Sequence, residues 1–493
     1  MDLIHQLVGR HAGDRVAYID LDAGELTYRE LHDAARRYAV LLRDNGVQSG
    51  SRCLMVSDDS VAAVAAVLGM WWHGCVPVPV SPMLRESEIV FMVKDSGAAT
   101  VHLDAPAAKK QALQQELSSL IQIDGEQVRA GLRDGEADEP AVFAADNEVL
   151  VQYTSGSTGT PRGVRHSLAG IEAVLAGFGA QLALRRDDIV VSTAKLSFGY
   201  GFGNSLLFPL AAGASTVLLG GVVDPYVVAT ALNAYRPTVL CSVPRVYAGL
   251  VNLTDQVGVD SLRCAVSAGE HLPAELAERF TATFGVPLVN GLGATEVLHI
   301  VVATDAARTE PGSTGRAVAG ATVTVRDERG ELVPDGVDGR LHIASGSVAL
   351  GYIDRPDATA TTFAQGGAYT GDIVHRRPGG DIRHVCRTDD LLNLGGYKIS
   401  PLEIEKVVRG TDGVADCAVV GEADEDGLQQ AVAYAVPVSG VEPEELRRAI
   451  VRSMRADLAP FKRPARIEVL DHLPVTSTGK LARFKLRSAG AAT

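Results

Sequence analysis

The segment Tyr153-Thr-Ser-Gly-Ser-Thr-Gly-Thr-Pro-Arg-Gly163 decides the fold class, because it places a glycine-rich loop directly behind the apolar run Val149-Leu-Val. The ten residues after Tyr153 include three glycines and five hydroxyl side chains. Glycines free several backbone N–H groups to point at one anion, and Ser and Thr hydroxyls add uncharged donors. A Walker A loop needs Lys-Ser/Thr after its glycines, and this segment has none. The pattern predicts a polyphosphate-binding loop; a flexible Gly/Ser linker, the alternative, fits less well behind a buried strand.

Helix and strand patterns alternate on both sides of this loop, which is typical of an α/β fold. Strand-like apolar runs occupy residues 52–56, 76–80, 189–192, 215–219, 238–242 and 262–267. Helical spacing occupies residues 26–42, 61–72, 226–235 and 274–283, and Thr27 with Glu30 makes a capping-box pattern in the first. Between residues 103 and 147 the chain is polar, and we expect a surface helix and a loop there.

The C-terminal part has its own pattern of strands and helices. Residues beyond 319 are strand-rich, and after Arg387 strand-like runs at 414–420, 430–436 and 465–469 accompany a helical run at 443–458. We therefore expect a large domain over residues 1–388 and a small domain of about 105 residues over 389–493.

Composition and charge exclude several classes of protein. The 493 residues are 46% hydrophobic and 22% charged, which rules out wholesale disorder. A net charge of −14 argues against nucleic acid or an anionic membrane as the main partner, because both require basic surfaces. The six cysteines form no C-x-x-C pair, so neither a disulfide framework nor a zinc site is indicated. The chain has no signal-peptide pattern and no apolar run near the ~20 residues of a membrane span, so we expect a cytoplasmic location.

Two further motifs offer oxygen ligands. Asn290-Gly-Leu-Gly-Ala-Thr-Glu296 follows a strand-like run, and its Thr and Glu are what Mg²⁺ accepts when phosphates and water complete its octahedron. In Tyr369-Thr-Gly-Asp372, a carboxylate after a tight turn can hold both hydroxyls of a ribose. Taken alone, each motif is also compatible with a solvated turn.

Two segments indicate a hinge and a mobile cation. From Arg387 to Glu405, charges, an apolar strand, Gly395-Gly396 and a Ser-Pro helix start follow one another at the proposed domain boundary. The loop Pro474-Val-Thr-Ser-Thr-Gly-Lys480 ends in one lysine, whose point charge on a flexible stem suits a developing phosphate charge. An ordinary surface lysine is the alternative.

In their identity and order, these motifs resemble the adenylate-forming superfamily of acyl-CoA synthetases, peptide-synthetase adenylation domains and luciferases. The resemblance runs from Leu26-Thr-Tyr-Arg-Glu-Leu31 to Lys480 and beyond. It implies a large α/β domain, made of two α/β subdomains and a β-barrel-like subdomain, followed by a small mobile α+β domain. It also implies ATP, Mg²⁺ and coenzyme A. A carboxylate attacks the α-phosphate of ATP to give an acyl-adenylate and pyrophosphate, and a thiol then attacks the adenylate.

The resemblance assigns the nucleotide-binding residues by position. It implies that the loop grips the β- and γ-phosphates through Thr154, Ser155, Gly156, Ser157, Thr158 and Gly159. It implies an adenine slot made of two segments, Ala268, Gly269 and Glu270, and Asn290, Gly291, Leu292 and Gly293. The remaining roles are Thr295 for phosphate, Glu296 and Thr158 for Mg²⁺, Asp372 for the ribose, and Arg387 for ribose or phosphate.

The catalytic residues implied by the resemblance are Lys480, Glu296, Arg387 and Asp389. Lys480 bridges the α-phosphate and the substrate carboxylate in the first step. Asp389 matches the hinge about which the small domain rotates, and Gly395, Gly396 and Tyr397 then replace Lys480 and line a tunnel for the thiol. The chain departs from the family pattern at Arg162, where a lysine is usual, and at Leu292, where an aromatic residue is common.

The acyl pocket is expected after the phosphate loop. Residues 189–223 contain no Asp or Glu, and a substrate ammonium group in an apolar pocket would need one, so an α-amino acid is disfavoured. The segments from Lys195 to Asn204 and from Thr295 to Ile300 resemble the benzoate-CoA ligase subgroup. The pocket residues implied are Phe198, Gly199, Tyr200, Gly203, Gly291, His299 and Ile300. Ordinary core packing is the alternative for the aromatic residues, and a buried structural histidine for His299.

The thiol acceptor has two candidates. Residues 447–487 contain 11 Lys or Arg against 3 acidic residues, a patch that could meet the phosphates of CoA or an acidic carrier protein. We expect a ligase that joins an aryl or cyclic carboxylic acid to CoA. The alternative is a stand-alone enzyme that loads such an acid onto the phosphopantetheine of a carrier protein. A non-enzymatic nucleotide-binding scaffold is disfavoured, and we expect a monomer or a homodimer.

Overall fold

The computed structural model describes residues 2–11, 13–21, 23–130, 136–155, 161–306, 310, 312–394, 397–423, 429–475 and 481–489. The chain forms two compact units. The large unit comprises Met1–Thr324, His342–Thr370 and Gly379–Ile382, and the small unit comprises Val325–Leu341, Gly371–Pro378 and Arg383–Thr493. Within the described ranges, no helix has both the length and the apolar character needed to cross a membrane.

The helices are α1 (Leu3–Leu7), α2 (Tyr28–Asp44), α3 (Val61–His73), α4 (Glu86–Ser96), α5 (Ala107–Glu116), α6 (Gly125–Ala130), α7 (Leu168–Val174), α8 (Ala180–Leu182), α9 (Gly199–Phe202), α10 (Phe208–Ala212), α11 (Pro225–Tyr235), α12 (Pro244–Asn252), α13 (Ala274–Phe284), α14 (Pro356–Thr362), α15 (Pro401–Arg409), α16 (Pro443–Asp457) and α17 (Arg483–Ala489). Short 3₁₀ turns lie at Gly9–His11, Thr254–Gln256, Thr295–Val297, Thr388–Asp390 and Pro460–Lys462, and π-helical turns at Leu175–Gly179 and Gly203–Leu207.

The strands are β1 (Val16–Asp20), β2 (Gly24–Thr27), β3 (Arg52–Val56), β4 (Val76–Val80), β5 (Thr100–Leu103), β6 (Ile121–Asp124), β7 (Glu148–Ser155), β8 (Pro161–Ser167), β9 (Ile189–Ser192), β10 (Ser215–Leu218), β11 (Val239–Ser242), β12 (Cys264–Ser267), β13 (Leu288–Gly293), β14 (Ile300–Ala303), β15 (Arg316–Ala317), β16 (Ala321–Arg326), β17 (Asp338–Ser345), β18 (Gly351–Tyr352), β19 (Ala368–Arg376), β20 (Ile382–Arg387), β21 (Leu392–Leu394), β22 (Tyr397–Ile399), β23 (Val414–Ala423), β24 (Gln429–Pro437) and β25 (Arg466–Val469).

A nine-stranded sheet, ordered β15-β14-β13-β12-β11-β9-β10-β1-β2, runs through the large unit. The six strands from β13 to β1 in this order are parallel, and the outer strands pair antiparallel. The central strands β11 and β12 are buried along their whole length. Strands covered on both faces need continuous apolar runs, which is the pattern that the sequence shows at these positions.

A second, parallel sheet of the large unit has the order β4-β3-β5-β6. Its edge strand β6 corrects the expectation of only a surface helix and loop over residues 103–147, since that segment contains α5, β6 and α6. Only Ile123 of β6 is buried, so this edge strand has no apolar run by which to recognise it.

The antiparallel strands β7 and β8 carry the two sides of the glycine-rich loop, with Thr154 opposite Arg162. Strand β18 pairs with the other edge of β8, so Tyr352 lies opposite Val164. Residues 156–160 at the turn lie outside the described part of the chain.

Helices α2 and α3 supply much of the core beneath these sheets. Thr27 and Glu30 form the predicted capping box at the start of α2. Eleven of the thirteen residues of α3 are buried, as expected for a helix that is apolar on every face. The indole Nε1 of Trp71 donates a hydrogen bond to the carbonyl of Val149 at 2.7 Å, which ties α3 to strand β7.

The small unit includes the sheet β23-β24-β25, with β23 and β24 antiparallel and β24 and β25 parallel. Helices α15 and α16 contribute Ile404, Val408 and Leu446 to its apolar core. The predicted strands and helix of residues 414–469 are confirmed. The domain boundary at residue 388 stays a prediction, because the small unit also takes residues 325–341 and 371–378.

Candidate active site

Two of the predicted nucleotide-binding segments meet at the carboxyl ends of adjacent parallel strands. Strands β12 and β13 pair so that Ser267 lies opposite Asn290, which brings the residues after Ser267 beside the Asn290–Gly293 segment. Asn290 is fixed on both sides: its N–H donates to Thr304 Oγ1 at 2.8 Å, and its amide Nδ2 donates to the carbonyl of Ser313 at 3.0 Å. In open α/β sheets, ligands bind at this edge.

The glycine at 293 is required by the chain itself. Strand β13 turns back into β14, with Gly293 opposite Ile300. A Cβ atom at Gly293 would lie 2.2 Å from the carbonyl oxygen of His299. The packing of this turn therefore excludes a side chain at 293 whether or not a ligand lies beside it.

Glu296 is oriented by a residue that the sequence reasoning missed. The phenol of Tyr352 donates a hydrogen bond of 2.7 Å to Glu296 Oε1, and the guanidinium of Arg162 lies 5.5 Å from the centroid of the Tyr352 ring. Burial, reinforced by the nearby Glu296 carboxylate, raises the pKa of Tyr352, so its hydroxyl keeps the proton that it donates. Nothing in the sequence distinguishes Tyr352 from other tyrosines, because the contact joins residues 56 positions apart.

The arrangement at Glu296 fits a magnesium ion bound largely by substrate. Tyr352 occupies Oε1 and leaves Oε2 without a hydrogen-bond or ion-pair partner among the described residues. The Thr295 hydroxyl lies in the same 3₁₀ turn. In the described part of the chain, no group of three or more His, Cys, Asp or Glu side chains could hold a metal. A single carboxylate suits Mg²⁺, which keeps phosphate and water ligands.

Three aromatic side chains surround His299 in the predicted acyl pocket. The imidazole stacks on Phe178 with ring centroids 5.5 Å apart, meets Phe208 edge-on at 4.7 Å, and lies 5.6 Å from Tyr200. A Cβ at Gly203 would lie 2.3 Å from His299 Cδ2, so this position must be glycine for the ring to fit. The structure thus brings Tyr200, Gly203 and His299 together, and their role in an acyl pocket stays a prediction.

His299 is a neutral group in this pocket. Its Nε2 lies 3.2 Å from the carbonyl oxygen of Tyr200, an arrangement that assigns the ring proton to Nε2. Burial lowers the pKa of His299 to about 3. Its Nδ1 has no hydrogen-bond partner in the part of the chain that the structure describes. The pocket therefore gains no positive charge from His299 at neutral pH.

An acidic pair, also missed by the sequence reasoning, anchors the segment before the pocket. Asp58 forms an ion pair of 2.8 Å with Lys195, and Asp59 Oδ1 accepts a hydrogen bond of 2.9 Å from the N–H of Leu196. Burial raises the pKa of Asp59 to about 7. These bonds fix the backbone that leads to Phe198, which is half-buried. The only sequence signal is two acids before a helix start.

Within the small unit, the structure brings Asp372 and Arg387 together. Arg387 Nη1 lies 3.2 Å from Asp372 Oδ1, and His384 Nε2 lies 3.2 Å from the same oxygen. Asp372 is 2% exposed, so a solvated turn aspartate is excluded. The predicted ribose and phosphate contacts of this pair stay predictions.

The hinge residue Asp389 is exposed in the 3₁₀ turn Thr388–Asp390. Its carbonyl accepts a hydrogen bond of 3.1 Å from Arg487, whose guanidinium also pairs with Asp390 at 2.5 Å. Strands β21 and β22 place Leu394 opposite Tyr397, as expected on the two sides of a hairpin.

Several predicted residues lie outside the described part of the chain. These are Gly156, Ser157, Thr158 and Gly159 of the phosphate loop, Gly395 and Gly396 of the hairpin, and Lys480. The side chains of Ser155 and Tyr397 are also outside it. Their roles stay predictions.

Five of the ten described Lys and Arg residues of the predicted basic patch form ion pairs inside the small unit. Arg466 pairs with Glu422 at 2.7 Å, and Lys462 pairs with Glu403 at 2.5 Å. The arginines that stay exposed and form no ion pair with a described residue lie on α16: Arg448, Arg452 and Arg455.

The family model for AMP-binding enzymes matches residues 5–353, and the model for the C-terminal domain of AMP-binding enzymes matches residues 403–480. The chain belongs to the AMP-binding enzyme family. This membership confirms the family resemblance and the predicted mixed α/β fold with a large N-terminal and a small C-terminal domain.

Relatives that match nearly the whole chain include proteins named as CoA ligases of benzoate and anthranilate. The chain is 35% identical to a benzoate–CoA ligase of Thauera aromatica over 98% of its own length and 95% of the relative. It is also 35% identical to a solved benzoate CoA ligase from Burkholderia xenovorans LB400, with a TM-score of 0.89 over 99% of this chain and 100% of that one. A solved anthranilate CoA ligase, AuaEII, in complex with anthranoyl-AMP, is 29% identical, with a TM-score of 0.91 over 100% and 98% of the two chains.

Proposed function

We propose that this protein activates an aryl carboxylic acid with ATP and transfers the acyl group to coenzyme A. The observation that carries this proposal is the set of aromatic rings that pack around the neutral imidazole of His299. His299 lies beside the glycine turn that also holds the predicted adenine segment. It lies in a chain that is 35% identical, over nearly its whole length, to a benzoate–CoA ligase.

The pocket chemistry supports an uncharged ring as the part of the acid that is recognised. The stacked and edge-on rings of Phe178 and Phe208 leave His299 in an apolar setting. Flat apolar walls gain free energy by covering an aromatic ring in stacked or edge-on geometry. An α-amino acid would bring an ammonium group, and residues 189–223 contain no carboxylate to pair with it.

In the first step, a carboxylate oxygen of the acid attacks the α-phosphorus, and the bond to the leaving pyrophosphate breaks. Positioning and charge stabilisation dominate catalysis of such transfers. Asn290, held by Thr304 and Ser313, lies at the sheet edge assigned to the adenine. Glu296 keeps one oxygen directed by Tyr352 and offers the other to a cation. When Mg²⁺ is bound there, it neutralises phosphate charge. Lys480 is the proposed cation at the α-phosphate.

In the second step, the thiol sulfur attacks the acyl carbonyl, and the bond to AMP breaks. We assign this step to a rearranged small domain, pivoting at Asp389 and presenting Gly395, Gly396 and Tyr397 to the thiol. Free CoA is the proposed acceptor, and a carrier protein is the less favoured one. Monomer and homodimer both stay open as predictions.

The direct test combines ATP, Mg²⁺ and CoA with a panel of benzoate, hydroxybenzoates, aminobenzoates, alicyclic acids and fatty acids. We expect acid-dependent pyrophosphate exchange and an aryl-CoA thioester that mass spectrometry detects, with AMP as the nucleotide product. Adenylate formation without any CoA thioester would reject the acceptor, and ADP as product would reject the reaction class. Reactions without ATP or without the acid are the controls.

A further inference from the structure

We propose that Tyr352 is a positioning residue that aims the Glu296 carboxylate at the metal-bound nucleotide, and that Arg162 holds Tyr352 in place from the phosphate-loop hairpin. This inference rests on the proposed function for its reaction, although its binding measurement does not. It also gives Arg162, the departure from the usual lysine, a contact of its own.

Glu296 is fixed at two points by the segment 349–352, which ends in strand β18. The phenol of Tyr352 donates to Oε1 at 2.7 Å, and the N–H of Ala349 donates to the backbone carbonyl of Glu296 at 2.9 Å. Fixing one carboxylate oxygen restricts rotation of the carboxylate, because the group is planar and the two oxygens move together. The direction of Oε2 is therefore set before a cation arrives, which reduces the entropy lost on binding.

Tyr352 itself has little freedom. Its backbone pairs with Val164 of β8, and its N–H donates to Thr359 Oγ1 at 3.1 Å. Its ring meets Phe363 at 5.2 Å in an edge-on arrangement. Only 7% of Tyr352 is exposed, so its hydroxyl has little access to bulk water. Breaking its hydrogen bond to Glu296 would therefore leave a buried polar group without a partner, which costs free energy. The hydrogen bond is consequently a fixed element of the site.

Arg162 links this tyrosine to the phosphate loop. It lies opposite Thr154 on the β7–β8 hairpin, and its guanidinium covers the Tyr352 ring at 5.5 Å. A planar guanidinium stacks on an aromatic face, whereas an ammonium acts as a compact point charge. The arginine thus joins the hairpin that carries the predicted phosphate ligands to the residue that aims Glu296.

The first experiment removes only the hydroxyl. Tyr352→Phe keeps the ring, its burial and the Arg162 contact. We expect the affinity of Mn²⁺ with the non-hydrolysable analogue α,β-methylene-ATP, measured by paramagnetic resonance, to fall roughly fivefold to tenfold, the size of one ordinary hydrogen bond. The Mg²⁺ concentration for half-maximal pyrophosphate exchange should rise by a similar factor.

Tyr434→Phe is the matched control, because the phenol of Tyr434 donates to Glu422 Oε1 at 2.6 Å in the small unit. It removes a buried Tyr–Glu bond outside the predicted site, so it should leave the Mn²⁺ affinity unchanged. An unchanged affinity in Tyr352→Phe, or an equal loss in both variants, overturns the inference. If the unmodified protein shows no exchange with any acid, the proposed function fails while the Mn²⁺ measurement still decides the inference.

A double-mutant cycle tests the role of Arg162. Arg162→Gln and Tyr352→Leu each should weaken Mn²⁺–nucleotide binding, and the double variant should lose little more than the larger single loss, because both act through one contact. Arg162→Lys should recover only part of the affinity. Strictly additive losses would show that Arg162 acts independently of Tyr352, and full recovery with lysine would show that it acts through its charge alone; either result overturns its role as a support of Tyr352.

Discussion

The imidazole Nε2 of His299 lies 3.2 Å from the carbonyl oxygen of Tyr200, and Gly203, which has no side chain, leaves room for the ring. This contact fixes the tautomer and the orientation of the histidine between Phe178 and Phe208. It joins the start of α9 to the turn before β14, so the predicted acyl pocket and the predicted adenine segment share one structural support.

Replacing Gly203 by alanine should disturb this support directly. The added Cβ would come within 2.3 Å of His299 Cδ2, so the ring must move. We expect a loss of stability of about 1–3 kcal/mol, typical of overpacking, and a higher KM for the aryl acid with little change in the KM for ATP. Gly170→Ala is the control, because its nearest neighbour would be an ordinary 3.5 Å away. Equal effects of both variants would contradict the prediction.

Acidification should destabilise the large unit through His166, which lies outside the predicted site. Burial lowers the pKa of His166 from 6.5 to about 3, so below pH 6.5 the unfolded chain binds a proton that the folded chain does not. Stability is then lost as the pH falls from 6.5 towards 3, by about 1.4 kcal/mol at pH 5.5 for one such group. The free energy of unfolding should be measured with denaturant at pH 7.5 and at pH 5.5. Between these two pH values it should fall by about 1.4 kcal/mol less in His166→Gln than in the unmodified protein.

His299→Gln should likewise reduce the loss of unfolding free energy between pH 7.5 and 5.5, because burial lowers the pKa of His299 to about 3 as well. Only the His299 variant should also alter the preference among aryl acids in pyrophosphate exchange. If His166→Gln changes that preference too, the separation of the structural histidine from the pocket histidine is wrong.

Lys480→Ala should suppress adenylate formation far more than thioester formation from a pre-made aryl-adenylate and CoA. The lysine charge is proposed to act at the α-phosphate only in the first step, when that charge develops. Single-turnover measurements of each step provide the readout, and Lys485→Ala is the control for a nearby lysine whose Nζ bonds the Val475 carbonyl at 3.2 Å. Equal losses in the two steps would reject alternation of the small domain.

Breaking the buried ion pair between Glu405 and Arg483 should lower the free energy of unfolding far more than breaking an exposed pair of the small unit. Glu405 is 1% exposed and receives Arg483 at 2.5 Å. Arg483→Ala leaves that carboxylate without its bidentate partner, with an expected loss of about 3–5 kcal/mol. The exposed pair between Lys398 and Glu328 should tolerate Lys398→Ala without a measurable change. Denaturant unfolding checks both, and comparable losses would contradict the burial argument.

Local patterns predicted much of the fold. Strand β3 and the capping box of Thr27 and Glu30 agree with expectation to the residue, because an apolar run and a capping box are local signals. Strand β6 was missed, since an edge strand with one buried residue has no apolar run. The pairing of Ser267 with Asn290 could be anticipated only in general terms, as strand ends that meet at one edge of a sheet.

The sequence by itself determined the family, the presence of a large N-terminal and a small C-terminal domain, and the types of residue available for phosphate, metal and ring binding, because these depend on motifs of a few adjacent residues. Only the tertiary structure decided which distant groups restrain them: Tyr352 on Glu296, Arg162 on Tyr352, and Asp59 on the backbone of Leu196. Hydrogen bonds and ring contacts depend on distances of a few ångströms between elements far apart in the chain, and no local pattern encodes those distances.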